Sequence, residues 1–280
     1  MAAVTVVYVN YNMRQDILAS LTTLFKDIPL ASHEVTVVVV DNSENRDGVR
    51  EAVAELFPSV RYLDAGGNVG FGAGNNAAFR AYPANYYLAI NPDTLIPDGA
   101  NVINNLVRYM EEHPEAGVIG PRLLNPDGST QQSSFRFNLQ SMLIKPIRHL
   151  KAHARIPALK RAADALLMKD FDRTYTRPVD WILGAALFIR HEAVAQLGFF
   201  DERYFLYIED CDLCHSVWHS GREVHYVHDI VIHHKHERGS SKVSGALRGL
   251  LKNKLARLHI RSWLQYLWKW LGNHRSYDKA

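Results

Sequence analysis

Short apolar runs, rich in β-branched residues, alternate with amphipathic segments along the first 120 residues of the chain. Continuous apolar runs are typical of strands that are buried on both faces of a mostly parallel sheet. The runs predict strands at 4–9, 35–40, 60–63 and 86–90, and another that starts at 118. Apolar residues at helical spacing predict helices at 15–25, 49–57 and 76–82, and one that follows Pro97 and ends near His113. This alternation predicts an α/β fold of the layered, Rossmann-like type.

The pattern becomes less regular in the second half of the chain. Residues 131–176 are basic and have no clear strand period, and we expect helix around 139–168. A further α/β segment follows, with predicted strands at 181–189, 224–227 and 230–232 and predicted helices at 193–197 and 210–220. The last 40 residues are predicted to be helical. We therefore expect one α/β domain over residues 1–241, made of the halves 1–120 and 121–241, and a helical tail over 242–280.

Composition and charge narrow the class of protein. A hydrophobic fraction of 47% is ordinary for a globular domain with a real core. The net charge of +3, spread over 280 residues, is too small to indicate nucleic-acid binding. No apolar run is long enough to span a membrane, and no secretory signal is expected at the N-terminus. The two cysteines, Cys211 and Cys214, fit a reducing cytosol, and a single CxxC inside a predicted helix is not interpreted as a metal or redox site.

Polar residues follow three of the predicted strands at the points where those strands end. Ligands of open α/β sheets bind beside the carboxyl ends of the strands. Asp, Asn and Pro also cap helices and form turns, but three such segments at one edge, two of them with a carboxylate, indicate a ligand site. The segments are Asn10-Tyr11-Asn12 after the first strand, Asp41-Asn42-Ser43 after the second, and Asn91-Pro92-Asp93-Thr94 after the fourth.

A glycine- and asparagine-rich loop at 66–74 precedes the predicted helix at 76–82. Glycine lets the backbone approach a ligand closely, and a helix N-terminus attracts anions, so this loop is a candidate phosphate site. A plain flexible turn is the alternative. The loop lacks both the GxGxxG spacing of dinucleotide sites and the GK[ST] ending of a P-loop, so neither of those sites is predicted.

Taken together, these motifs resemble those of family 2 glycosyltransferases, and within that family the bacterial rhamnosyltransferase branch. The resemblance also rests on Trp181, Gly184-Ala185, and the segments 198–202 and 209–214, and it covers about residues 4–241 in family order. It implies a GT-A fold, inversion at the anomeric carbon and a divalent metal, Mg²⁺ or Mn²⁺. It further implies that residues 1–120 bind the nucleotide and that residues 121–241 carry the acceptor site and the catalytic groups.

The resemblance assigns a nucleotide-sugar site to the first half of the chain. Tyr11 and Asp41 resemble the residues that hold the pyrimidine base. Asp93 resembles the carboxylate of the DxD-type motif, which holds the metal and the diphosphate, whereas Asn91 departs from the pattern at the first acidic position. A hard cation prefers oxygen ligands and neutralises the charge that builds up on the departing diphosphate. The implied donor-binding residues are Asn10, Tyr11, Asn12, Asp41, Asn68, Gly70, Asn91 and Asp93.

The catalytic groups are implied at the start of the predicted helix 210–220. By family position Asp210 is the general base, with Glu209 beside it. An inverting transfer needs such a carboxylate to take the proton from the acceptor hydroxyl as that hydroxyl attacks. Asp212, Trp181 and Gly184 are implied on the acceptor side, although a plain core role for the tryptophan is equally consistent with the sequence.

A histidine after the last strand of the domain is the second implied metal ligand. His233 is favoured over His234 in the run that follows the apolar residues 230–232. Solvated surface histidines are the alternative, since the chain contains 14 of them.

The tail at 242–280 is basic and aromatic. It holds nine Lys or Arg residues against one acidic residue, Asp278, and several Leu and Trp residues lie among them. Such a mixture on a helix fits the headgroup zone of an anionic membrane, and the basic stretch at 145–161 adds to the same surface. The alternative is a helix packed on the domain. We expect a cytoplasmic protein that contacts the inner face of the plasma membrane.

The expected function is therefore transfer of a sugar from a nucleotide-diphosphate donor to a hydroxyl of a lipid-linked oligosaccharide or polysaccharide of the cell envelope. The resemblance favours dTDP-L-rhamnose as donor, while UDP-galactofuranose, UDP-glucose and other dTDP-sugars stay open. A sugar-phosphate nucleotidylyltransferase would need a Gly-, Arg- and Lys-bearing loop after the first strand, which Asn10-Tyr11-Asn12 does not supply. A non-catalytic nucleotide- or glycan-binding module is opposed by Glu209-Asp210 and weakly favoured by Asn91.

Overall fold

The structure is a computed structural model that describes residues 1–137, 171–235 and 254–272, and between them residues 156, 157, 160, 161, 164 and 168. The described strands are β1 Ala3–Asn10, β2 Glu34–Asp41, β3 Arg61–Asp64, β4 Tyr86–Ile90, β5 Thr94–Leu95, β6 Ala116–Leu124, β7 Ser134–Phe135, β8 Arg177–Pro178, β9 Trp181–Ile182, β10 Ala186–Arg190 and β11 Glu223–His234. The described helices are α1 Arg14–Asp27, α2 Val49–Leu56, α3 Phe71–Ala81, α4 Val102–Glu112, α5 His191–Val194, α6 Glu209–His219 and α7 Lys254–Lys269. A short 3₁₀ helix, Ile28–Leu30, follows α1.

The central sheet has nine strands, eight of them in the order β3-β2-β1-β4-β10-β6-β11-β5, while β8 pairs with β11. The strands β3, β2, β1 and β4 are parallel. The strand β10 runs antiparallel between β4 and β6, and β6 is parallel to β11. All the long strands except β10 therefore run in one direction, which confirms the predicted α/β fold with a mostly parallel sheet.

Both faces of the sheet are covered, as the continuous apolar runs predict. Side chains alternate across a strand, so Val7 and Val9 of β1 join one core cluster and Val6 and Tyr8 join the other. The first cluster includes residues of α3, α6 and α7, and the second includes residues of α1, α2 and α4. Because β1, β2 and β4 are parallel neighbours, their carboxyl ends meet at one edge of the sheet.

Three predicted strands differ from those observed. The predicted strand at 181–189 is two strands: β9 pairs with β7 in a separate two-stranded sheet, and β10 lies in the main sheet. The chain changes sheets at 183–185, where the Leu183 N–H donates to the carbonyl of Ser133. The segments predicted as strands at 224–227 and 230–232 form the single strand β11, whose register with β6 shifts between Val227 and Val231.

Other predicted segments lie partly or wholly outside the described residues. Most of the expected helix at 139–168 is outside them, as are much of the basic stretch at 145–161 and residues 242–253 and 273–280 of the tail. Within the described tail, α7 is helical as expected. The proposed boundary at residue 120 falls inside β6, so strands from both halves share one sheet; the functional division at that point stays a prediction. None of the helices in the described part of the chain combines the length and apolarity needed to cross a bilayer.

Candidate active site

The ends of β1 and β2 are joined through the side chain of Asn10. These two strands pair so that Asn10 lies opposite Asp41. The Asn10 amide nitrogen donates to Asp41 Oδ1 at 2.9 Å and to Ser43 Oγ at 3.0 Å, and it also lies 3.1 Å from Asp47 Oδ2. Asn10 is fully buried, so its role in this structure is to hold the two strand ends together.

Asp41 is a buried anion that is saturated by protein donors. Its Oδ1 accepts from the N–H and the hydroxyl of Ser43, and its Oδ2 accepts from the Asn45 N–H at 2.6 Å and the Tyr62 hydroxyl at 2.8 Å. Burial raises the pKa of Asp41, but the hydrogen bonds from Ser43, Tyr62 and Asn10 outweigh burial and hold that pKa below its usual range. Contact with a base ring therefore requires that one of these donors be exchanged, and this predicted role stays a prediction.

The segment between β1 and α1 offers an exposed ring at the same edge. Tyr11 keeps 49% of its surface accessible, which suits stacking on a planar base. Asn12 has a φ of 57°, and its N–H donates to Ser43 Oγ at 3.0 Å. Asparagine is one of the few residues with a Cβ that tolerates this left-handed conformation.

The glycine-rich loop connects the β2 end to the segment that precedes α6. The Asn42 side chain donates to the Gly70 carbonyl at 3.0 Å, and the Gly70 N–H donates to Asn68 Oδ1 at 3.1 Å. Gly70 has a φ of 94°, and a Cβ at this position would overlap the carbonyl oxygen of Phe205. The Phe71 N–H donates to that same oxygen at 3.3 Å. Glycine is thus required at position 70 both for its backbone conformation and for this close approach.

Asp93 faces His234, not His233. His234 Nε2 lies 3.3 Å from Asp93 Oδ1, and both residues are buried. Successive residues of a strand point to opposite faces, so His233, which pairs with Leu95, points away from this carboxylate. From the sequence, His233 is favoured over His234 as the metal ligand, whereas the structure places His234 beside Asp93.

A chain of hydrogen bonds places a proton on Nδ1 of His234. The Ser129 hydroxyl donates to Asp127 Oδ1 at 2.5 Å, so it accepts from the Asn125 side-chain amide at 2.9 Å. The Asn125 oxygen then accepts from the Gln131 amide at 3.0 Å, and the Gln131 oxygen accepts from His234 Nδ1 at 2.7 Å. Because the carboxylate at the start of the chain can only accept, Nδ1 of His234 carries a proton, and Nε2 is the nitrogen that faces Asp93.

This arrangement fits a divalent cation. His234 Nε2 and Asp93 Oδ1 lie 3.3 Å apart, and a neutral imidazole and a carboxylate at this separation can bind one cation together. Metal-bound histidines usually donate their other ring N–H to an oxygen, as His234 does to Gln131. The mixed nitrogen and oxygen donor set suits a divalent ion such as Mn²⁺.

The backbone before α6 is strained, and two carboxylates follow it directly. Tyr207 and Ile208 have φ values of 68° and 74°, and a positive φ is unusual for a β-branched residue. Glu209 and Asp210 form the first turn of α6 and are largely buried. Asp210 Oδ2 accepts from the Gly184 N–H at 2.8 Å, so this glycine, predicted on the acceptor side, holds the predicted base.

Backbone contacts bring Asp210 next to the loop that carries Asp93. The N–H of Asn91 donates to the carbonyl of Ala185 at 2.8 Å, and Ala185 follows the glycine that binds Asp210. A Cβ on Gly184 would lie 3.2 Å from Asp210 Cβ, so the approach depends on glycine. Asp210 therefore lies close to the loop that carries Asn91 and Asp93, at the carboxyl end of β4.

The side chains of Trp181 and Asp212, both predicted on the acceptor side, are buried against other side chains of the protein. Trp181 is 3% exposed and stacks on Phe135 with ring centroids 4.2 Å apart. It is therefore a core residue and does not form an exposed wall on which a sugar could stack. Asp212 is 1% exposed and accepts from Lys269 Nζ at 2.6 Å and Trp270 Nε1 at 2.7 Å. It therefore anchors α7 to α6 instead of facing an acceptor.

The family model described as "Glycosyl transferase family 2" matches residues 5–163, more than half of the chain. The chain belongs to glycosyl transferase family 2. This membership excludes the sugar-phosphate nucleotidylyltransferase that was considered from the sequence.

Within the family, the chain is 30% identical over 223 residues to the N-acetylglucosaminyl-diphospho-decaprenol L-rhamnosyltransferase of Mycobacterium tuberculosis, covering 75% of this chain and 70% of that one. It is 26% identical over 251 residues to rhamnosyltransferase WbbL of Escherichia coli K12, covering 85% and 89%.

Solved structures confirm the GT-A fold of this family 2 glycosyltransferase. GalNAc-T7, crystallised with UDP, GalNAc and Mn²⁺, matches with a TM-score of 0.66 at 13% identity over 98% of this chain and 49% of that one. The mannosyltransferase PcManGT of Pyrobaculum calidifontis, in complex with GDP-Man and Mn²⁺, matches with a TM-score of 0.55 at 16% identity over 94% and 70%. At such identities the likeness concerns the fold alone.

Several residues of the site were not identified from the sequence. Ser43, Asp47 and Tyr62 hold Asn10 and Asp41 in place, and Gln131 orients His234. Ser43 belongs to the Asp41-Asn42-Ser43 motif. The other three residues lie in a turn, a strand and a loop whose sequences have no distinctive pattern. Their roles depend on contacts between distant parts of the chain.

Proposed function

We propose that this family 2 enzyme is an inverting, metal-dependent transferase that moves L-rhamnose from dTDP-L-rhamnose to a hydroxyl of a lipid-linked or polysaccharide acceptor in cell-envelope glycan assembly. The donor and acceptor classes are supported by the two rhamnosyltransferases that it resembles over most of its length. The observation that carries the catalytic part is the position of Asp210, held by Gly184 beside the loop of Asn91 and Asp93.

In this proposal Asp210 is the general base. Its two oxygens accept from the backbone N–H groups of Gly184 and Cys211, which fixes the orientation of the carboxylate. The carboxylate takes the proton of the acceptor hydroxyl while that oxygen attacks the anomeric carbon from the side opposite the diphosphate. Inversion follows from this single in-line displacement. Glu209 lies beside the base in the same helical turn.

The donor lies along the ends of β1, β2 and the glycine-rich loop. Tyr11 stacks on the base, and Asp41 accepts the ring N–H after one of its present donors is exchanged. The diphosphate lies near Asn68 and Gly70, where backbone groups precede the N-terminus of α3. Asn12 and Asn91 supply neutral polar groups that border the same cleft.

Asp93 and His234 are the proposed ligands of the divalent metal, Mg²⁺ or Mn²⁺. The ion, when bound, supplies positive charge that neutralises the diphosphate as it departs. Asn91 replaces a carboxylate at the first position of the motif, so the two ligands contribute only one formal negative charge. Gln131 holds His234 in the tautomer that such binding requires.

The proposed contact with an anionic membrane is supported by the outer face of α7. Tyr266 and Trp270 pack into the domain, whereas Leu264, Trp268 and Leu271 are 54%, 81% and 76% exposed. Exposed apolar side chains on a basic helix insert into the headgroup zone. In a flotation assay with anionic vesicles, replacing all three exposed residues by Ser is expected to abolish binding.

The matched control for flotation is Leu56→Ser, since Leu56 is 57% exposed on another helix, α2. Loss of vesicle binding in the control alone, or in neither protein, would contradict the membrane proposal. The catalytic proposal is independent of this outcome.

The experiment that tests the proposed function is a panel of dTDP- and UDP-sugars, assayed for binding and for transfer with Mg²⁺, with Mn²⁺ and with a chelator. We expect dTDP-L-rhamnose to bind and to be transferred only when metal is present. NMR of the product should show the anomeric configuration opposite to that of the donor. Retention of configuration would refute the single displacement, transfer in the chelator would refute the metal requirement, and binding without transfer to any acceptor would favour the non-catalytic module.

A further inference from the structure

A second group of potential metal ligands lies at the end of the sheet opposite the active site. The parallel strands β6 and β11 begin there, with Ala116 paired to Glu223. One ligand atom each from His113, Glu115 and His225 lie within 4.8 Å of one another. Glu223 is the fourth member, because its Oε2 lies 3.0 Å from His225 Nε2. We call these four residues the edge cluster.

The histidines of the edge cluster are oriented by a tyrosine. His113 Nδ1 lies 3.0 Å from Glu115 Oε1, and the rings of His113 and His225 have centroids 5.8 Å apart. The ring of Tyr109 stacks on His113 at 4.2 Å, and its hydroxyl lies 2.8 Å from His225 Nδ1. With Nδ1 engaged by the tyrosine, His225 directs Nε2 toward Glu223. Metal-bound histidines typically have such a hydrogen-bond partner on the ring nitrogen that does not bind the metal.

The charges of the cluster also favour a cation. Two carboxylates lie against the two histidines, with Glu115 Oε1 3.0 Å from His113 Nδ1 and Glu223 Oε2 3.0 Å from His225 Nε2. Arg190 and Arg222 lie nearby, and their guanidinium groups donate to backbone carbonyls, including those of Ala116 and Pro114.

We propose that the edge cluster is a binding site for a zinc-class divalent cation, held by His113, His225 and Glu115, with Glu223 as a further oxygen ligand. Two imidazoles and one carboxylate form a ligand set that zinc accepts, and it is richer in nitrogen than the Asp93 and His234 pair. An ion there joins the end of α4 to the start of β11 across the β6–β11 pair. This proposal does not depend on the proposed transferase reaction.

The test is a calorimetric titration of the chelator-treated, full-length protein with Zn²⁺, made in the Asp93→Asn background so that the proposed catalytic metal does not contribute. We expect one saturable zinc site. In His113→Gln the affinity for zinc should fall by more than roughly 10–100-fold, which is the usual loss when a residue that only hydrogen-bonds to a metal ligand is replaced. His113 is half-buried at the surface, so this variant is expected to fold.

Two further variants separate ligation from general effects. Glu112→Gln removes a neighbouring exposed carboxylate outside the cluster and should bind zinc as the parent does. His113→Cys should retain binding, because a thiolate is also a zinc ligand. Absence of saturable zinc binding in the parent, or unchanged affinity in His113→Gln, would overturn the proposal.

Discussion

Gly70→Ala is expected to damage both the stability of the protein and its catalysis. Gly70 has a φ of 94° and a ψ of 172°, a conformation that is almost restricted to glycine. A Cβ there would meet the backbone of Phe205, which leads directly into the strained turn before Glu209 and Asp210. Backbone atoms cannot rotate aside as a flexible side chain does, so the segment before α6 has to move.

The same loop provides a matched control. Gly66 also has a positive φ, 72°, but a Cβ there would have no neighbour within 4 Å. Backbone strain costs a residue that has a Cβ on the order of 1–3 kcal/mol, and forcing an extra atom into a packed site costs about 1–3 kcal/mol more. Gly70→Ala therefore loses roughly 2–6 kcal/mol from both effects, whereas Gly66→Ala loses about 1–2 kcal/mol from backbone conformation alone.

Thermal unfolding followed by circular dichroism measures this difference. At about 2 °C per kcal/mol for a chain of this size, Gly70→Ala should lower the melting temperature by roughly 4–12 °C and Gly66→Ala by about 2–4 °C. Sugar transfer should fall in Gly70→Ala at temperatures where that variant is still folded, because Asp210 is displaced. Equal melting temperatures and equal transfer rates in the two variants would refute the steric reasoning.

Two further substitutions test contacts made by distant residues. Lys269→Met leaves Asp212 buried without its cation and should destabilise the protein by about 3 kcal/mol, while Arg261→Met on the exposed face of α7 should be neutral. Burial raises the pKa of Asp212 even beside Lys269, so protonation favours the folded state, and the deficit should shrink as the pH is lowered toward about 5; a constant deficit would contradict this. Gln131→Leu should weaken Mn²⁺ binding by roughly 10–100-fold through His234, and unchanged affinity would refute that role.

The fold was predictable from sequence because its strands are locally encoded. Uninterrupted apolar runs identify β1, β2 and β4, and the residues that follow them identify the edge where ligands bind. The break between β9 and β10 was missed, since an apolar run does not reveal a change of sheet at Gly184. The sequence does not show with which segment a strand pairs, because tertiary contacts determine that pairing.

The same limit applies to the candidate site. His233 and His234 are equivalent in sequence, and only the register of β11 against β5 decides which one faces Asp93. Asp212 lies beside the predicted base in sequence, yet its partner Lys269 is 57 residues away, on α7. Strand ends and family position predict Asp41, Asp93 and Asp210 along one edge, but they do not predict the contacts that hold these three side chains.

The most direct test of the account compares donor binding and single-turnover transfer in the wild type and in Asp210→Asn. The asparagine oxygen can still accept from the Gly184 N–H, so the local structure should be kept while the base is lost. We expect transfer to fall by about 10²–10⁴-fold, the usual contribution of a general base, with the donor dissociation constant within about twofold of wild type. Transfer at the wild-type rate would contradict the assignment of Asp210 as the general base.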